Sequence, residues 1–199
     1  MSFSNIVPLL RAFLYRLVYP KIRARYIHSN VFILNPRRLT VGEGSSIFQN
    51  VVINNYQDIS IGKGSQIGPF VTFRCTSGAL STGDYFSINP FSLIDCNGNV
   101  TIGRFVRIGA HSYIGPAHHD YRLFFDNPKY TSFEETPIAL RDIVIGNNVW
   151  IGTNVQIHPG SIVAQDSIIG QSTSVRKIFD ESTLIYNRYI RECSSEVLP

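Results

Sequence analysis

The sequence predicts a solenoid, a parallel β-helix of stacked three-sided coils, and three observations carry that prediction. Aliphatic residues recur every six positions, glycine or another turn former follows them at short fixed offsets, and the beat stops once, between Gly115 and Asp142, before resuming in step. The register can be counted as Val41, Ile47, Ile53; Ile61, Ile67, Phe73; Thr82, Ile88, Ile94; Ile102, Ile108, Ile114; Ile145, Ile151, Ile157; Val163, Ile169, Val175. Within each of these six groups every step is six, and successive groups start 18 to 21 residues apart except across the interruption. A fixed period of this kind is the mark of a solenoid, and hexads specifically of a parallel β-helix.

The first element is a helix over Ile6 to Tyr19, where Ile6, Leu9, Leu10, Phe13, Leu14, Leu17 and Val18 fall at helical spacing, with Arg11 and Arg16 off the stripe. Pro8 suits a first turn and Pro20 supplies a stop. Arg11 and Arg16 interrupt the apolar segment and no small-residue cleavage pattern follows, so a secretory signal fits poorly and the helix is expected to stay attached. Its stripe must cover the open end of the scaffold, a sister subunit or a membrane surface, and packing against protein ranks first.

The coils follow. Val106, Val149, Val155 and Ser65 lie two places before a repeat residue, the alternation of a short strand with one face inward. Gly42, Gly62, Gly103, Gly146 and Gly152 directly follow an aliphatic and are read as corner residues whose backbone freedom the turn requires, with Gly44, Gly64 and Asn148 as further turn formers. The expected division is a helical, basic segment over 1–38, the β-helix over 39–178 with one loop extruded over 115–142, and a tail over 179–199.

Composition bounds the function. At 199 residues, 44% hydrophobic and 16% charged, the chain can bury a real core. It contains no apolar run of the roughly 18 to 20 residues that a spanning helix needs. The net charge of +4 is unevenly placed, since Arg11, Arg16, Lys21, Arg23, Arg25, Arg37 and Arg38 all precede the first acidic residue, Glu43. Such an arm could meet an anionic lipid, nucleic acid or polymer, or stand as a solvated basic face. Cys75, Cys96 and Cys193 cannot all pair within one chain and form no CxxC, which suggests a reducing compartment; Cys75 and Cys96 read as small buried hydrophobes one coil apart.

Residues 41–177 resemble the hexapeptide-repeat acyltransferases, whose fold is a left-handed parallel β-helix. Within that family Asn89-Pro90 to Asp95, His119-Asp120-Tyr121, Val149-Trp150-Ile151-Gly152 and Pro159-Gly160 resemble sugar and polysaccharide O-acetyltransferases of the maltose and galactoside type. The resemblance implies acetyl transfer from acetyl-CoA to a sugar or polysaccharide hydroxyl, with no metal. His119 takes the place of the catalytic histidine, and His118 is the fallback; an imidazole titrating near neutrality suits a general base. The alternative is that both are loop histidines exposed to water.

The resemblance also places Asn89 against the acceptor, although Asn89 suits a corner for its backbone alone, and Asp95 could orient the acceptor or the histidine, or be merely solvated. Trp150, between the inward Val149 and Ile151, points outward; it is expected to wall the coenzyme groove or to pack under the 115–142 loop. Gly152, Gly170 and Ser172 fall along the pantetheine arm, and Arg176 and Lys177 near its phosphates. A homotrimer with sites between subunits, a cytoplasmic location at or near the inner face of the membrane, no nucleic-acid partner, and membrane contact through the basic segment complete the expectation. Two departures stand out: Ile185 to Ile190, with Asn187, replaces the family's Gly-Asn-Pro-Ala segment, and Ala164 stands where a corner Gly is expected. The rival readings are a γ-type zinc carbonic anhydrase using His111, His118 or His119, and His158; a scaffold without catalytic activity; and an acyltransferase fed by a carrier protein.

Overall fold

The computed structural model describes residues 3–119 and 138–186. Asp120, Tyr121, Asn187 and Cys193 lie outside them, as do the side chains of His118 and His119. The chain winds into a parallel β-solenoid of three sheets with eight, seven and seven strands, consistent with a left-handed β-helix. One helix, α1 (Phe3–Val18), precedes it.

Within these three sheets, strands two to four residues long pair with their equivalents in the neighbouring coils. Ile27, Ile47, Ile67, Ile88, Ile108, Ile151, Ile169 and Ile185 stack along the first face. Ile33, Ile53, Phe73, Ile94, Ile114, Ile157 and Val175 stack along the second. Val41, Ile61, Ile102, Ile145, Val163 and Phe179 occupy the third. Nearly all of these side chains are fully buried, so the core is a column of aliphatics, each contributing roughly 1.5–3 kcal/mol by leaving water.

The ladder runs further at both ends than the hexad count predicts. Ile22, Ile27 and Ile33 form a coil before Val41, and Phe179 and Ile185 begin one after Val175. The first coil hides because Ile22 to Ile27 is a step of five, and the last because Ile185 follows Ile169 by 16 residues rather than 18.

The corners also differ from expectation in their physics. Gly42, Gly62, Gly103, Gly146 and Gly152 are not in the left-handed region; they are glycine because a Cβ would lie 2.3 to 2.6 Å from the backbone, chiefly that of the next coil. The left-handed residue comes two places later, as Gly44 and Gly64 but also as Tyr85, Phe105 and Asn148 on one edge, and Asn50, Phe70, Phe91, His111 and Ser172 on another. A bulky residue there is strained. Stacking offsets it: Phe70 on Phe91 at 4.9 Å, Phe91 on His111 at 5.1 Å and Tyr85 on Phe105 at 5.0 Å, each pair adding about 0.5–1.5 kcal/mol.

Helix α1 begins three residues before the expected start and holds Pro8 inside it. Pro8 forfeits one helical N–H bond, but it is buried with Ala12 against the end of the prism, where Tyr15 and Tyr19 also pack. Arg11 fixes this cap. Its guanidinium donates to the carbonyls of His28 at 2.6 Å and Val31 at 2.7 Å, and to that of Ser29. Arg11→Ala strips all three from the first turn of the solenoid and is expected to lower unfolding free energy by about 1.5–3 kcal/mol, read as a drop in denaturant midpoint without a change in slope.

Cys75 and Cys96 stack on successive coils in the core, as expected of small hydrophobes. The neighbouring Cys75 thiol and burial push the Cys96 thiol far up, which removes it as a nucleophile.

Candidate functional site

Among the described residues the chain leaves the coils once, at the corner between the second and third faces. After Ile114 and Gly115, Ala117–His119 runs antiparallel to Ile138–Leu140, with His118 opposite Ala139 and His119 opposite Ile138. The root of this hairpin is tied down. Arg141 N–H donates to Pro116 O at 2.9 Å, and the Asp142 carboxylate accepts from the Asn99 backbone at 2.9 Å and its side chain at 3.1 Å. Ile145 then rejoins Ile102 in register, so the insertion leaves the ladder unbroken.

Asp95 lies on the coil before the hairpin and is not a solvated edge carboxylate. It is buried, accepting from Arg74 Nε at 2.9 Å and from Arg74 Nη2. The bond to Asp95 holds the Arg74 pKa up, whereas burial and the Asp95 charge push the Tyr113 phenol up, with Arg74 partly opposing. Asp95 therefore works first as an ion-pair partner, on a different face from Asn89.

Along the first face runs a groove of ≈ 910 Å³. It brings together Asn89, Trp150, Gly152 and Gly170 from the sequence reading. Asn89 sits exposed at the corner. The Trp150 indole is 56% exposed, as the alternation predicts. Gly152 is held to glycine by the Gln171 backbone, 2.6 Å from where a Cβ would be, so coil stacking already requires it. Ser172 lies just beyond the lining at the same corner, where it accepts from Asn154 Nδ2 at 3.2 Å.

Arg176 and Lys177 do not reach the groove. They occupy the edge from which the hairpin leaves, where Arg176 Nε donates to Ser174 Oγ at 3.3 Å and His158 Nε2 lies 3.0 Å from the same oxygen. His111 and His158 stand on different edges. Among the described residues no cluster of three His, Cys, Asp or Glu side chains could hold a metal.

Arg107 also lines the groove, although no sequence motif singles it out. It pairs in register with Trp150 and Ser87, and among the described residues that line the groove it is the one charged side chain. The signal was present: the residue before each first-face isoleucine points outward, and that column reads Gln66, Ser87, Arg107, Trp150, Ile168. An open channel with an indole wall, flat glycine corners and the Arg107 guanidinium suits an extended ligand with an apolar thread and an anionic part.

Residues 142–177 match the family model described as bacterial transferase hexapeptide (six repeats). The chain is 29% identical over 113 residues, 54% of its length and 56% of the relative's, to an Escherichia coli protein named for O-acetyl transfer in lipopolysaccharide biosynthesis. It is 38% identical over 82 residues to the galactoside O-acetyltransferase of Escherichia coli, covering 39% of this chain and 35% of that one. The chain thus spans about half or less of the curated relatives it matches. An N-acyltransferase from Bacillus cereus, solved in complex with dTDP and coenzyme A, shares the fold at a TM-score of 0.52 and 13% identity, over 80% of this chain and 76% of that one.

Proposed function

We propose that this protein is a hexapeptide-repeat acyltransferase that moves an acetyl group from acetyl-CoA to a hydroxyl of a sugar or polysaccharide, and that it works as a homotrimer. The observation that carries the reading is the first-face groove, with Trp150 on its wall, Asn89 at its corner and the Arg107 charge in its lining. The names of the relatives support the same chemistry.

His119 takes the proton from the acceptor hydroxyl, with His118 as the alternative, and Asn89 offers an amide that can both donate to and accept from that hydroxyl's neighbours. Bound in the groove, acetyl-CoA supplies an activated thioester. Trp150 covers its apolar arm, the Gly152 and Gly170 corners allow close approach, and as the acceptor oxygen bonds to the acetyl carbon the C–S bond breaks and coenzyme A leaves as its thiol, taking the proton from the histidine. Arg107 provides a positive charge for the anionic end, and Arg176 and Lys177, on the edge that carries the hairpin, do so from the neighbouring subunit.

The placement supports a shared site in the trimer. Groove and hairpin occupy different parts of one prism, the groove on the first face and the hairpin at the corner of the second and third. A site that uses both takes the groove from one subunit and the histidines from the next.

The test needs no knowledge of the acceptor. Calorimetric titration with acetyl-CoA is expected to give saturable binding, weakened about three- to tenfold in Trp150→Ala through loss of the indole surface. Folded protein that binds no acetyl-CoA would overturn the coenzyme reading, and a monomer by sedimentation that transfers acetyl at full rate would overturn the trimer.

A further inference from the structure

The helix that caps the first coil is apolar on both sides. Pro8, Ala12, Tyr15 and Tyr19 close the prism, so the end of the scaffold is covered, but not by the stripe the sequence suggested. Ile6, Leu10, Phe13, Leu14, Leu17 and Val18 face away from it, with exposures from 44% at Ile6 to 66% at Val18. Scattered exposed aliphatics need no explanation, but these succeed one another at three- and four-residue steps and form one continuous strip. A solenoid cap ordinarily turns a polar face to water.

The charge around this strip has one sign. Arg16 lies in the last turn, Lys21 and Arg37 follow, and no acidic residue precedes Glu43. Arg11 is committed to backbone carbonyls and Arg23 to Glu43 at 2.9 Å. Among the described residues, Arg16, Lys21 and Arg37 form no salt bridge. Lys21 and Arg37 stand at a cleft of ≈ 290 Å³ that Val18, Tyr19, Pro20 and Pro36 line beside the end of the helix. An apolar strip and an apolar cleft thus share a rim of cations.

We propose that this face seats the protein on an anionic lipid bilayer. Helix α1 lies in the interface with Leu10, Phe13, Leu14 and Leu17 among the upper acyl carbons, while Lys21 and Arg37 meet lipid phosphates at the cleft. The helix rests on the membrane rather than crossing it, since no described helix is long and apolar enough to span. Charge decides the occupant. A second copy of the same face would bring two sets of cations together, whereas an anionic surface neutralises them. The proposal does not depend on the acyl-transfer reading.

Flotation of the full chain with vesicles provides the test, comparing pure phosphatidylcholine with phosphatidylcholine containing about a third phosphatidylglycerol. Wild type is expected to float with the anionic vesicles only, and to be released as salt rises. Leu14→Gln/Leu17→Gln is expected to lower the bound-to-free ratio at least about tenfold. Lys21→Glu/Arg37→Glu is expected to abolish the preference for the anionic vesicles. All four side chains are exposed, so unchanged circular dichroism and melting should accompany these losses. Wild type that stays unbound, or a leucine variant that floats as well as wild type, overturns the proposal. So does a leucine variant whose vesicle-free particle mass falls by light scattering, since the strip would then be buried against another copy.

Discussion

His119→Ala is expected to lower kcat/KM for acetyl transfer by about 10²–10⁴ while leaving acetyl-CoA affinity and melting temperature unchanged. The size follows from what a positioned base contributes. At neutral pH a sugar hydroxyl holds its proton firmly, and the proton must be removed as the oxygen attacks. The scaffold is spared because the residue belongs to the hairpin strand Ala117–His119, outside the three ladders. The measurement is steady-state transfer to a glycan acceptor beside calorimetric acetyl-CoA binding, with His118→Ala in parallel. Loss in His118→Ala alone would move the base to His118. Full activity in both variants would end the histidine mechanism.

Arg74→Ala should be among the most destabilising substitutions outside the aliphatic column. It leaves Asp95, whose side chain is 6% exposed, with a buried charge and no counterion. Removing one member of a buried pair costs about 3–5 kcal/mol, and because Arg74 itself is 48% exposed and screened by water, the lower end of that range is expected. Arg74→Ala/Asp95→Ala should recover much of the loss, since the uncompensated charge is then gone. Denaturant unfolding of the three proteins checks this, and a double variant no more stable than Arg74→Ala would contradict it.

The ladder was legible in the sequence because burying one side of every strand forces an aliphatic to the same phase in each coil, and from Val41 to Val175 every group of three keeps the six-residue step on both sides of the long interruption. Trp150 was legible for the same reason, lying between Val149 and Ile151. Phase fails as a guide where the step changes, at Ile22 to Ile27 and at Ile169 to Ile185, and both end coils were lost there. It also fails where a residue's role is set by the coil above it. Arg74 and Asp95 are 21 positions apart, and neither has a local feature that names the other. Phe70, Phe91 and His111 contradict local backbone preference and become intelligible only once they stack. Gly62 and Gly103 were found, but for the wrong reason: the constraint is space against the next coil rather than backbone freedom. The helix was visible as an apolar segment, yet periodicity alone could not say which of its two apolar sides met the prism.

The interruption between Ile114 and Ile157 has a consequence for how the chain assembles. Most coils close by joining residues 16 to 21 apart, but Ile114 must find Ile157, and Ile108 must find Ile151, across 43. Loop-closure entropy grows only with the logarithm of length, so doubling the separation costs about 0.6 kcal/mol. Two neighbouring coils repay this with several fully buried isoleucines. The insertion can therefore be lengthened, shortened or exchanged with small effect on stability, while the coils before and after it zip from neighbour to neighbour and one long closure between them sets the pace of folding. Such a chain can change what its loop touches without having to relearn how to fold.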